Sequence, residues 1–218
     1  QTLDGAAAWF QWSANLTDAG DAERVQAMRA TGNYLQVLGA DVALGRTLTM
    51  ADGRPESAPA PVISHGLWKR RLGGSADAIG RGIRLNGEVF TVVGILRPGF
   101  AFQLRDALLI VPWLPERDPR RANAALNFLR VVGRLAPGVT VSQAVAELDM
   151  RIQEYRSKYP QAGAGDRRGR VVGLGEDLVG SAQRVLRMLA AAVGLVLLIA
   201  GANLTNLLLV TGPGPVQE

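Results

Sequence analysis

The sequence contains no cysteine, one histidine and, among 24 basic residues, only two lysines, Lys69 and Lys158. Without thiols there is no disulfide and no thiolate-bound metal, and a single imidazole leaves any metal centre to carboxylates. Asp18, Asp21 and Asp52 do not stand at the spacing of a calcium loop, so no metal site is expected. No G-x-x-x-x-G-K-[ST] loop occurs, and the glycines of GLGEDLVG are wrongly spaced for a dinucleotide fingerprint. No cofactor site is therefore expected in this chain. The opening residues lack a charged segment leading into an apolar one, so no signal peptide is expected. The lone His65 follows Ser64 directly. Adjacent side chains diverge, whereas Ser–His catalysis needs the pair to converge from separate elements. Ser64 is expected to cap a helix, and no catalytic residue is assigned. Basic clusters at 69–71, 117–121 and 166–170 carry no aromatic RNA-binding signature. They are expected to be solvated faces, without a nucleic-acid partner, and the arginines between 167 and 187 are expected near lipid headgroups.

What the sequence does have is an apolar run. The chain of 218 residues is 48% hydrophobic and 20% charged with net charge +5, which is the composition of a folded protein with a real core. Residues 188–210 then continue without one charged side chain. As a helix this run is about 35 Å long, enough for a hydrocarbon core of about 30 Å. A transmembrane helix is expected over residues 185–210, followed by a tail, 211–218. At helical spacing Ala190, Gly194, Gly201 and Thr205 form one stripe of small residues, which lets a second helix approach closely in lipid. Asn203 and Asn206 face nearly the opposite way. They are expected either to hydrogen-bond other helices or to reach headgroups at the end of the span.

Along the rest of the chain, ERVQAMRA (23–30) alternates as a strand with Val25 and Ala27 inward. TGNYLQVLG reads as a short helix with Thr31 as N-cap and Gly39 as stop. PVIS is a strand, and HGLWKRRLG a helix capped by Ser64 and ended by Gly73. RGIRLNGEVFTVVGIL is a hairpin turning at Asn86-Gly87. ALLIVP and NFLRVVGRL are strands. Thr140 and Gln143 form a capping box for a helix whose apolar face is Val141, Val145, Leu148, Ile152, Tyr155 and Tyr159, stopped by Pro160. RVVGL (170–174) reads as a returning strand. The opening stretch QTLDGAAAWFQWSANLTDAG shows no clear period, and Trp9, Phe10 and Trp12 are expected in the core or an interface. The fold class is α+β, with a strand–helix–strand unit over residues 127–174 before the membrane helix.

Five motifs occur in order: TGNYLQVLGADVALGRTLTMAD, PVISHGLWKRRLGG, IGRGIRLNGEVFTVVGILRPGF, VVGRLAPGVTVSQAVAEL and VGLVLLIAGANLTNLLL. Together they resemble the MacB-like periplasmic core domain followed by the FtsX-like permease of ABC transporters. The resemblance implies a porter-like α+β domain contributed by both ends of the chain (1–64 and the returning β-α-β part, 126–182) and a β-rich middle subdomain, 65–125. It also implies that the membrane helix is one of several. ATP would be bound by a separate subunit or a fused domain, and the remaining partners would be other permease helices, a second copy in a dimer, and a periplasmic adaptor or cargo. The protein would sit in the bacterial inner membrane with its bulk in the periplasm, working in efflux or in mechanotransmission rather than as an enzyme. A plain positive-inside count points the other way, since Arg184 and Arg187 precede the uncharged run and only Glu218 follows it. Two other readings stay open: a membrane-anchored ligand- or partner-binding module without ATPase coupling, and an anchored hydrolase using Ser64 or His65.

Overall fold

The opening stretch forms one long strand, β1 (Leu3–Leu16). In this computed structural model the residues described are 2–17, 21–100, 102, 104, 106–122, 128–160 and 170–211, without the side chains of 121, 122, 178–187, 202 and 204–211. Two compact units are present, Gln1–Val171 and Val172–Glu218.

Within the first unit the elements run β1, β2 (Glu23–Ala30), α1 (Tyr34–Leu38), β3 (Val42–Gly45), β4 (Val62–Ile63), α2 (His65–Arg71), β5 (Gly82–Leu85), β6 (Glu88–Thr91), β7 (Gly94–Leu96), β8 (Ala107–Pro112), β9 (Arg130–Leu135) and α3 (Val141–Lys158). The strands make one sheet in the order β3-β7-β4-β8-β2-β1-β5-β6, with β9 also paired to β1. From Trp9 to Leu16, β1 runs antiparallel to β2. Along its other edge it pairs with β9 from Leu3 to Trp9 and with β5 at Leu16.

Both faces of this sheet are covered. Ala14 and Leu16 of β1 and Val25 and Ala27 of β2 enter one core cluster with Leu67, Trp68, Ile95, Leu109 and Val111. Ala7 and Trp9 of β1 and Met28 and Ala30 of β2 enter a second, with Tyr34, Leu35, Leu96 and Ile110. A strand buried on both sides needs apolar residues at both parities, so it loses the alternation of a half-exposed strand. The register of β8 slips beside Gln26 and Ala27, which oppose Ala107 and Leu109. That bulge re-phases the strand, so that Ala107 joins Ile110 in the second cluster while Leu109 and Val111 face the first.

The expected local devices largely appear. Ser64 Oγ accepts from Leu67 N at 3.1 Å and caps α2. Asn86 and Gly87, at φ 51° and 88°, make the left-handed turn between β5 and β6. The turn also docks on β1: Asn15 N donates to Asn86 Oδ1 at 2.8 Å, and Asn86 N to Asn15 O at 3.0 Å. The Thr140–Gln143 capping box opens α3, and Gly39 ends α1 in the left-handed region. Thr31 differs from expectation. The N-cap position of α1 is Asn33, without a side-chain cap. Thr31 Oγ1 instead accepts from Ala8 N at 3.1 Å and donates to Asn33 Oδ1 at 2.8 Å, so it ties the turn to β1.

Two further expectations are corrected. The returning strand at 170–174 does not form: residues 170–173 carry no strand, and α4 (Leu174–Thr211) begins where it should end. Two valines are a short strand, and Glu176 and Asp177 in the following turn favour a helix N-terminus. The partner of β9 is instead the opening half of β1. Nor is the apolar stripe of α3 buried. Ala144, outside that stripe, is the one buried residue of α3, while Val145 and Ile152 are half-buried and Val141, Leu148, Tyr155 and Tyr159 are exposed.

In the second unit, α4 is a single helix of 38 residues. Among the described residues no helix is long and apolar enough to cross a membrane. The expected span runs over residues 188–210, and the side chains of 202 and 204–210 lie outside the described residues.

Just after β2, Gly32 sits against the backbone of Thr49 and Met50. A Cβ there would lie 1.9 Å from the Thr49 carbonyl oxygen, which is backbone and cannot rotate away. Gly32→Ala is expected to lower stability by about 3 kcal/mol in urea titration. Gly66→Ala, in α2 with open space around it, is expected to raise stability by about 0.5–1 kcal/mol.

Candidate functional site

Positions 25, 27 and 29 of β2 point to the same face of the sheet. Val25 and Ala27 are 1% and 0% exposed; the next position in phase is an arginine. Arg29 lies in register between Phe10 of β1 and Val111 of β8, inside the sheet and away from its edges. Its guanidinium carbon stands 4.5 Å from the centre of the Trp12 ring, a cation–π contact. Its Nε is buried and makes no hydrogen bond. Burial pushes Arg29 below the usual arginine value, while the negative charges of Glu88 and Asp118 pull it back up.

Arg29 opens into a cleft of about 490 Å³, whose walls include Phe10, Trp12, Phe90, Val111 and Leu114. One rim follows β8. There Asp118 Oδ2 accepts from Trp113 Nε1 at 2.9 Å and from Arg120 Nη2 at 2.6 Å. Asp118 Oδ1 accepts from Arg120 N at 3.1 Å and Arg120 Nε at 2.9 Å. The Arg120 guanidinium stands over two rings, 4.3 Å from Phe10 and 4.0 Å from Phe128. Phe10, Trp113 and Phe128 meet one another edge to face at 5.3–6.2 Å. The Arg120 hydrogen bonds, helped by its backbone N–H and Trp113, outweigh burial and hold the Asp118 carboxyl at about 2. On the other rim burial pushes Asp52 up, but Arg46 and the N–H and hydroxyl of Thr49 hold it below the usual carboxylate range. Arg46 reaches both Asp52 oxygens at 2.8 Å.

The 117–121 basic cluster is therefore not simply a solvated face, since Arg120 is part of a wall. Ser64 and His65 go to separate tasks: Ser64 caps α2, and His65 rests on Trp68 at 5.2 Å. The residues expected to pack in lipid all fall on α4. Ala190, Gly201 and Asn203 are exposed and Gly194 is half-buried, while the side chains of Thr205 and Asn206 lie outside the described residues. Reading the sequence for motifs missed the cleft. The available signal was parity, an arginine in phase with two core residues of a strand.

The fold is similar to that of several solved transporter and permease domains. The periplasmic region of MacB from Actinobacillus actinomycetemcomitans superposes with a TM-score of 0.54 at 15% identity, covering 72% of this chain and 69% of that one. The extracellular domain of the noncanonic ABC-type transporter YknZ from Gram-positive bacteria gives 0.53 at 16%, covering 73% and 78%. A domain of a protein described as a permease from Porphyromonas gingivalis gives 0.55 at 15%, covering 79% and 81%. Residues 2–151 match the profile of the MacB-like periplasmic core domain, and the chain belongs to that family. No curated protein matches it.

Because the folded pKa of Asp118 is depressed, its stabilisation is complete above the ordinary carboxylate value of about 3.9 and is lost as pH falls through about 2. Asp118→Ala is expected to cost about 2–3 kcal/mol at pH 7, by leaving Arg120 and Trp113 without an acceptor. Its stability curve should converge on that of the parent protein as urea melts are repeated from pH 4 down to pH 2.

Proposed function

We propose that the chain is the extracytoplasmic domain and an adjoining membrane helix of an ABC transporter permease, passing ATP-driven movement from a separate ATPase to a periplasmic partner or cargo. The observation that carries this reading is the succession of a MacB-like periplasmic core domain and a helix whose residues 188–210 include no charged side chain. The described large apolar side chains from Met188 to Ile199 are 51–73% exposed. Such a surface belongs in lipid or in a large protein core. On this reading α4 lies in the bacterial inner membrane and the sheet unit in the periplasm. Ala190, Gly194, Gly201 and Thr205 pack a neighbouring permease helix, and Asn203 and Asn206 hydrogen-bond across it. The parent assembly is a dimer with ATP on another subunit, and this chain itself performs no catalysis. One observation favours a second reading, an anchored ligand- or partner-binding module without ATPase coupling: the open cleft around Arg29.

After a carbonate wash of bacterial membranes the chain is expected in the pellet, and externally added protease should digest the portion ahead of α4. Leu197→Arg together with Leu198→Arg should release it to the supernatant, each charge costing about 3 kcal/mol at mid-membrane. A parent chain that washes off the membrane would end the permease reading. Retention in the membrane without a co-purifying ATP-binding subunit would leave the anchored binding module.

A further inference from the structure

The geometry points to a ligand site in the cleft: Arg29 is placed to receive a carboxylate carried on an apolar or aromatic body. Its position is one the strand otherwise gives to core residues, and no hydrogen bond or ion pair engages its guanidinium among the described residues. Trp12 fixes one face of the guanidinium plane. Nε is enclosed, so a ligand meets the remaining N–H donors, whose planar fork matches a carboxylate.

The surrounding charges favour an anion. Of the acids lining the cleft, Asp118 is clamped by Arg120 and Asp52 by Arg46. Glu88, exposed on β6, has no such clamp among the described residues. Against it stand Arg29 and Arg117. Arg29 and Arg117 against one unclamped acid leave a single net positive charge, which suits a singly charged anion better than a doubly charged phosphate. A volume of about 490 Å³ admits much more than an ion, and the Phe10, Trp12 and Phe90 rings offer surface for the body of the ligand. The shared chemistry is a carboxylate next to an apolar group, whether on a free small molecule or at the end of a peptide chain. The proposal concerns the sheet unit alone and does not rest on α4 entering lipid.

The test uses the full 218-residue chain in lipid nanodiscs and two probes with the same body, N-acetyl-phenylalanine and N-acetyl-phenylalaninamide, titrated by calorimetry and tryptophan fluorescence. The acid is expected to bind about tenfold more tightly than the amide, and Arg29→Gln to abolish that difference. Glu88→Gln, at an exposed position that leaves the fold undisturbed, should tighten the acid several-fold at low salt and leave the amide unchanged. A pentapeptide ending in phenylalanine, as acid and as amide, separates the sources. Tighter binding of the peptide acid than of the single residue assigns the cleft to a chain end, and weaker binding to a free carboxylate. Equal affinity for acid and amide in the parent protein, or a Glu88→Gln variant that binds the acid no better, overturns the proposal. A chain that fails to enter membranes yet discriminates acid from amide keeps this inference and loses only the permease reading.

Discussion

The structure depends on one strand being shared. β1 gives one edge to β2 and the other to β9 and β5, and at Trp9 it is paired on both edges at once, to Ala30 and to Arg130. Where both edges are paired the backbone has no free N–H or C=O to offer, and the cost of an unpaired buried peptide group holds that part of the strand in place. The start of the chain and the strand ahead of α3 thereby belong to one body, and the two core clusters are assembled on opposite faces of the same ladder. Arg134 adds a tie between β9 and α1, donating through Nε and Nη2 to the carbonyl of Val37 at 3.1 and 2.8 Å.

The cleft is a consequence of that ladder. Register alone sets Phe10, Arg29 and Val111 side by side. Neither Asp118 nor Arg120 could stand in an aromatic wall alone, but paired they satisfy each other and the Trp113 indole. The pairing neutralises the rim, and Arg29 is left, among the described residues, as an inward-facing charge without an ion-pair partner. The cleft and the stripe of small residues on α4 belong to different units and to different physical tasks.

The elements legible in the sequence were those specified by local chemistry. Asn86-Gly87 needs only its own two residues to turn, Ser64 only the N–H of Leu67, and Thr140 only Gln143. β1 was not legible because alanine, tryptophan and leucine at both parities erase the period that identifies a strand. The returning strand at 170–174 was read from two valines, and the helix-favouring residues after them prevailed. The stripe on α3 was periodic in the sequence and yet lies largely exposed, because periodicity reports which residues share a face and not what covers it. For the same reason Arg29 passed as a polar neighbour of Val25 and Ala27. Its phase was visible, but the ring it stacks on and the strands beside it are set by long-range register.

The shared strand also orders events in time. The second half of β1 closes on β2 across a short connection, Leu16 meeting Glu23, whereas its first half meets β9, with Leu3 opposite Leu135. Pairing over so long a stretch of chain is slow, since the loop must be closed before any contact rewards it. As the polypeptide leaves the ribosome, an early hairpin therefore stands with both borders bare: that of β2 waits for β8, and that of β1, with Trp9 upon it, waits for the residues around 135. Nascent chains of this design have most to gain from a chaperone during that interval, and the arrival of β9 closes it.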